Sequence, residues 1–237
     1  SQKIEPSQKI EESSVLSSGS VPAHSLTSSS SGVPSYSVKP LSCSQYLQQV
    51  RDETYPIRIE DPNKGDEHNY TRVMATQFPF HMSFHLKLFD RMRWDAFLEG
   101  KYYENKLEAA FVRVLQASPP KARVLDIGGN VGYYSLLSAA SGAFVVDAFE
   151  PNLKNLLRFC ESSVLNRWTN EFEMSSSQPH LNIYAYGVSD HAGELPFYVR
   201  RNPGEGSFGK HAKGFGGQIL TPEYNAPVTT LDIFAKE

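Results

Sequence analysis

The chain alternates short apolar runs, each closed by glycine or an acid, with wider apolar stripes at helical spacing. Arg123-Val124-Leu125-Asp126-Ile127 is a compact run stopped by Gly128, the pattern of a parallel strand covered on both faces. Gly128 and Gly129 allow positive φ and let a ligand approach the main chain. Asn130 suits a helix N-cap. The spacing predicts a helix over 131–140, with Gly142 at its C′ position. A second apolar strand follows over 143–149 and ends at Glu150. Pro151 suits the first position of a helix that runs to about residue 165. Residues 181–186 alternate as a third strand, and 195–199 form another after Gly193.

The flanking segments read differently. Residues 1–45 are serine-rich, repeat Ser-Gln-Lys-Ile at 1–4 and 7–10, and hold little to bury. They predict a disordered tail. Residues 46–118 read as a helical lead-in or cap. There Leu107, Phe111, Val114 and Leu115 form an i, i+4, i+7, i+8 stripe that Ser118-Pro119-Pro120 stops. Met82, Phe84, Leu86, Phe89, Met92, Trp94, Phe97 and Leu98 make a second apolar cluster, either a packed cap or a lid with Tyr102 or Tyr103 near the ligand. Residues 119–237 then carry the strand-helix pattern. Residues 167–180 read as a polar loop, and 202–217, with six glycines, as a mobile one.

Strand, glycine turn, helix and second strand in that order build a nucleotide-shaped pocket. Glu150 falls beside the turn, where a carboxylate accepts both hydroxyls of an adenosine ribose. An acid there serves dinucleotides too. The glycine spacing separates the cofactors. A dinucleotide turn needs glycine at its first, third and sixth positions. Counting from Gly128, those positions hold Gly128, Asn130 and Tyr133. The pattern here is Asp126-x-Gly128-x-x-x-Gly132, which favours S-adenosylmethionine. Its amino-acid carboxylate would lie at the helix N-terminus, as other anions do.

At these residues the chain resembles the FkbM family of S-adenosylmethionine-dependent methyltransferases. Gly100-Lys101-Tyr102-Tyr103-Glu104, residues 124–135, Glu150-Pro151-Asn152, Gly187-Val188-Ser189-Asp190 with Gly193-Glu194-Leu195, and Val228-Thr229-Thr230-Leu231-Asp232 carry the resemblance over roughly 100–234. Gly129 stands where alanine is more usual. The resemblance implies a Rossmann-like class I methyltransferase sandwich, an α/β fold, and O-methylation of a hydroxyl on a saccharide or other small metabolite. It implies cofactor contacts from Asp126, Gly128, Gly129, Asn130, Gly132, Glu150, Pro151, Val188 and Ser189, the last two beside adenine. In the family a further strand follows the threonine-threonine-leucine-aspartate segment. This chain ends at Glu237, so only the N-terminal half of the sheet is expected. Its first strand would then lack an outer partner, in a chain that is part of a longer reading frame or poorly soluble alone.

Composition narrows the alternatives. A formal net charge of −3 gives no footprint for nucleic acid, and no apolar run approaches the roughly 20 residues of a membrane span. Asn69-Tyr70-Thr71 is a glycosylation acceptor pattern if the chain is secreted. Cys43 and Cys160 leave a disulfide open, although Cys160 reads as a small buried hydrophobe. His81 and His85 have a metal pair's spacing but no glutamate between them and no third ligand, so they read as surface or core histidines. His180, His191 and His211 fall in predicted loops. No general base is identified. The competing functions are a non-catalytic adenosine-ligand-binding remnant and a nicotinamide-dependent oxidoreductase.

Overall fold

A computed structural model describes residues 37–52, 71–74, 76–85, 104–119, 122–169, 171–172, 178–199, 205–209 and 222–236, all within the compact unit Tyr36–Glu237. Residues 1–36, Asn69, Tyr70, the apolar cluster from Leu86 to Leu98, Tyr102, Tyr103, His211 and most of the glycine-rich loop lie outside the described residues.

Three parallel strands make the main sheet in the order β3-β4-β5: β3 Arg123–Ile127, β4 Val145–Phe149 and β5 His180–Tyr184. Ile127, Phe149 and Tyr184 stand in register at their carboxyl ends. Val124, Val146, Ala148, Leu181 and Ile183 pack one face against the Tyr133–Ala140 and Leu153–Asn166 helices, chiefly through Leu136, Leu137, Leu156 and Phe159. These crossovers make the alternating apolar positions of three strands one core.

The opposite face is thinner. Phe149 stacks on Tyr184 with ring centroids 4.8 Å apart, and Phe234 of the short Leu231–Phe234 helix meets both edge-on. Asp147 is buried beneath them, accepting from Arg123 Nε at 2.5 Å, Asn182 Nδ2 at 3.0 Å and the Tyr184 hydroxyl at 3.2 Å. The expectation that β3 is covered on both faces fails. β3 is an edge strand among the described residues, and Leu125 and Ile127 are 42% and 52% exposed.

A second sheet, β6-β9-β7-β8, follows. The predicted third strand stops at Tyr184; β6, Gly187–Val188, instead pairs in parallel with β9, Tyr224–Thr229. β7, Gly193–Val199, runs antiparallel to β9 and takes β8, Gly206–Ser207, on its other edge. Thr230 caps the last helix by accepting the Ile233 N–H at 3.1 Å.

The lead-in is not wholly helical. β1, Thr71–Met74, and β2, Phe80–Ser83, form an antiparallel hairpin. Phe80, Met82 and Phe84 are buried in the main core, and Phe80 and Met82, two apart in the strand, lie on one side of it; Ser83 and His85 are buried as well. Helix side chains complete the edge of β2. Ser83 N–H donates to Ser162 Oγ and His81 N–H to Asn166 Oδ1, each at 2.9 Å, while Asn166 Nδ2 donates to the His81 carbonyl at 2.7 Å. The Asn105–Ala117 helix exists, but its predicted stripe is turned. Leu107 and Val114 are 52% and 65% exposed, whereas Val112 is buried. Glu108 and Glu104 accept the Tyr133 and Tyr134 hydroxyls at 2.9 and 2.8 Å, and Phe111 meets Tyr134 edge-on. Those partners draw the 108-111-112 side inward, while Glu104 stays exposed.

The expected tail also changes at its end. The Cys43–Asp52 helix begins with a buried cysteine, and Cys43 is disulfide-bonded to Cys160 of the Leu153–Asn166 helix. Cys160 is therefore buried, as expected, but not a free thiol. The loop after that helix is tied down too, because Glu171 accepts from Ser42 and Ser44 and Leu181 N–H donates to the Trp168 carbonyl at 2.9 Å. His180 opens β5 instead of lying in a loop. The disulfide closes a separation of 117 residues, and restricting the unfolded chain over a loop of that size contributes up to about 5 kcal/mol. Urea unfolding of the Cys43→Ala/Cys160→Ala pair should show a loss of roughly 2–5 kcal/mol; superimposable curves for variant and oxidised wild type would contradict this.

Candidate functional site

The glycine turn is held against the end of β4 by its own backbone. Gly128 and Gly129 N–H both donate to the Phe149 carbonyl, at 2.9 and 3.0 Å. Gly128 takes φ 83° and Asn130 φ 53°, the left-handed region that favours glycine and tolerates asparagine. This bend turns Asn130 N–H onto Glu150 Oε2 at 2.7 Å. The turn from β3 and the acid from β4 are thus joined by one charge-assisted hydrogen bond.

Two expectations about the turn are corrected. Asn130 does not cap the helix: its Oδ1 accepts the N–H of its neighbour Val131 at 2.8 Å. The helix starts at Tyr133 with Gly132 at the N-cap, φ 90° and no side-chain cap. Gly129 has no positive φ; it is small because a Cβ there would stand 3.1 Å from Phe159. Pro151 likewise is not the first helical residue. Asn152 caps the Leu153–Asn166 helix, accepting Lys154 N–H at 3.0 Å.

Glu150 is buried, and each of its oxygens holds a backbone donor. Oε1 accepts Asn152 N–H at 2.8 Å and lies 3.4 Å from Asn155 Nδ2. Burial raises its pKa above the ordinary carboxyl value; the Asn152, Asn130 and Asn155 donors oppose the rise, and the charge of Asp126 adds to it. Asp126 is raised as well, first by burial, against a 2.6 Å hydrogen bond from Ser135. A buried acid beside a half-buried one, both of raised pKa, makes this turn a candidate site.

Tyrosines fix the chain after Glu150. Tyr224 of β9 donates to the Pro151 carbonyl at 3.0 Å and accepts Leu153 N–H at 3.1 Å, while Tyr46 donates to the Leu153 carbonyl at 2.9 Å. Burial pushes both phenols well above their ordinary value. No local pattern announced Tyr46, Tyr224 or Asn155. Of the other expected contacts, Val188 lies in the second sheet paired with Thr229, and Ser189 donates its N–H to the Thr229 carbonyl at 2.9 Å and its hydroxyl to Asp190 at 3.1 Å. His191 pairs with the same Asp190 at 2.6 Å. His81 and His85 do not share a helix face: His81 is in β2, and His85 follows it with Nε2 2.9 Å from Asn155 Oδ1. Among the described residues no group of three or more His, Cys, Asp or Glu side chains is placed to hold a metal ion, and no helix is long and apolar enough to cross a membrane.

No family model and no curated protein matches the chain. Among solved structures it is similar to a SAM-dependent methyltransferase from Agrobacterium tumefaciens, at 15% identity and a TM-score of 0.33, over 56% of this chain and 35% of that one. The chain thus spans about a third of that protein's length. A likeness of this size carries no chemistry.

The glycines offer a direct test of the turn. A Cβ at Gly132 would meet the Phe159 ring at 2.3 Å, in a residue already at φ 90°, whereas one at Gly128 meets nothing within 4 Å. Gly128→Ala should cost only the backbone strain, about 1–2 kcal/mol. Gly132→Ala adds overpacking of about 1–3 kcal/mol more. Denaturant midpoints that fall equally for the two variants would contradict the packing of Phe159 under the turn.

Proposed function

We propose that this chain is an S-adenosylmethionine-dependent methyltransferase acting on a hydroxyl of a saccharide or other small metabolite. The observation that carries the reading is the buried Glu150 carboxylate clipped to Asn130 N–H at 2.7 Å. A carboxylate offers about four acceptor positions. Two short hydrogen bonds use one position on each oxygen, and the Asn155 contact is long at 3.4 Å. Acceptor capacity for a diol therefore remains at the mouth of the glycine turn. Gly128 adds an approach, since the space where a side chain would project is open. Asn130 at the turn's third position supports a methyl donor over a dinucleotide, whose diphosphate needs glycine there.

In this reading Glu150 holds the ribose, Asp126, Gly128, Gly129 and Gly132 shape the floor for the amino-acid tail, and Val188 and Ser189 edge the adenine. Bound S-adenosylmethionine would supply an electrophilic methyl on a sulfonium. The chain's own contribution is orientation, worth up to roughly 7–11 kcal/mol of barrier when alignment is ideal.

Calorimetry on the wild type should show binding of S-adenosylhomocysteine and none of comparable strength for NAD. Glu150→Ala should weaken the former on the order of a hundredfold, as expected for two hydrogen bonds to a charged group. Tight NAD binding without the homocysteine compound would reverse the assignment to an oxidoreductase. Binding without turnover over a panel of hydroxylated acceptors would make the chain a non-catalytic adenosine-ligand binder.

Acid provides a second check. A carboxyl whose pKa is raised on folding binds its proton more readily in the folded state. Glu150 and Asp126 therefore penalise folding above their folded pKa values, and acidification relieves that penalty. Ligand affinity moves the other way, because protonated Glu150 accepts fewer hydrogen bonds. Affinity for S-adenosylhomocysteine should fall through a midpoint above the ordinary glutamate value of 4.5. A midpoint at or below that value, or one unchanged in Glu150→Ala, would contradict the role given to this acid.

A further inference from the structure

Beside Glu150 lies a buried pair that the proposed function does not use. Asn155 Nδ2 stands 3.4 Å from Glu150 Oε1, and Asn155 Oδ1 stands 2.9 Å from His85 Nε2. Asn155 and His85 are both buried. An amide oxygen only accepts, so His85 Nε2 carries the proton in this contact. That bond decides which way the amide points. Reversed, Asn155 would turn its oxygen toward the carboxylate and oppose it.

A ribose hydroxyl is both donor and acceptor, whereas an ionised carboxylate only accepts. Glu150 alone can therefore take the hydroxyl hydrogens but leaves the hydroxyl oxygens unpaired in a buried place, at a cost. A donor must stand next to it. Asn152 and Asn130 bring backbone N–H groups already committed at 2.8 and 2.7 Å. The loosely held amide of Asn155 is the donor free to transfer from Oε1 to an arriving hydroxyl oxygen.

We propose that Asn155 is a specificity-determining residue that makes the Glu150 site select a full ribose diol, and that His85 is its positioning residue. This rests on the methyl-donor reading above. Asn155 reads the ligand by donating to one diol oxygen while Glu150 accepts from the diol. His85, one shell further out, sets the amide's direction from the end of β2.

The test compares S-adenosylhomocysteine with its 2′-deoxy and 3′-deoxy counterparts by calorimetry, on the full chain. The ratio of two dissociation constants does not depend on how much of the sample is folded, so a destabilised variant still reports. Wild type should prefer the diol ligand over at least one deoxy counterpart. Asn155→Ala should shrink that preference roughly three- to tenfold, the span of one ordinary hydrogen bond. His85→Phe should do the same, and His85→Gln, which still offers an N–H to Asn155 Oδ1, should restore it. An unchanged ratio in Asn155→Ala overturns the inference while leaving the methyl-donor reading intact. Equal ratios in His85→Phe and His85→Gln overturn the positioning role. A wild type that binds none of the three ligands overturns the methyl-donor reading, and this inference falls with it.

Discussion

A buried carboxylate must be given hydrogen bonds, and the way Glu150 receives them organises the centre of this protein. Leaving an ionised group in the interior without partners costs several kcal/mol. The donors come from two directions: Asn130 N–H from the glycine turn, and Asn152 N–H from the N-cap of the next helix. To satisfy the acid, the chain must bend left-handed at Gly128 and Asn130 and must cap the following helix with a residue whose own N–H turns back. The same demand that stabilises the charge therefore sets the backbone of the turn, with open space beyond Gly128, beside the acid.

The Leu153–Asn166 helix transmits that arrangement to the rest of the unit. Phe159 lies under Gly129 and Gly132, so the turn sits on an aromatic floor. One turn on, Ser162 and Asn166 hydrogen-bond the edge of β2, and Cys160 fastens the helix to the Cys43–Asp52 segment. Asn155 at its start reaches Glu150 and His85 together. Tyr224 and Tyr46 close the opposite side of the same chain turn through backbone groups of Pro151 and Leu153. Four separate parts of the sequence thus converge on one helix and the few residues before it.

What the sequence disclosed follows from the range of each signal. The β3 and β4 runs, the helix between them and the acid beside the turn were legible because their cues are local: apolar runs, glycine and a carboxylate at the strand end. The 71–83 hairpin is hidden although Phe80, Met82 and Phe84 alternate with His81, Ser83 and His85, because the denser apolar residues that follow, Leu86 to Leu98, make the whole stretch read as one cap. The Asn105–Ala117 helix is legible but turned, since apolar spacing cannot anticipate that tyrosine hydroxyls bind Glu104 and Glu108 and bring the Glu108 side toward the core. Asn130 looked like a cap and serves as a bend, because cap and left-handed turn draw on the same residue. The disulfide, Tyr224 and the Asn155–His85 pair depend on contacts between distant segments, for which one sequence carries no local mark.

The central claim is that an adenosyl ligand enters where Glu150 grips the Asn130 amide. Amide hydrogen exchange at Asn130, followed by NMR on the nitrogen-labelled protein with and without S-adenosylhomocysteine, tests it most directly. The account predicts an already slow amide that slows further when the ligand closes over the turn. Ligand binding that leaves Asn130 exchange unchanged, while protecting amides elsewhere, would contradict it.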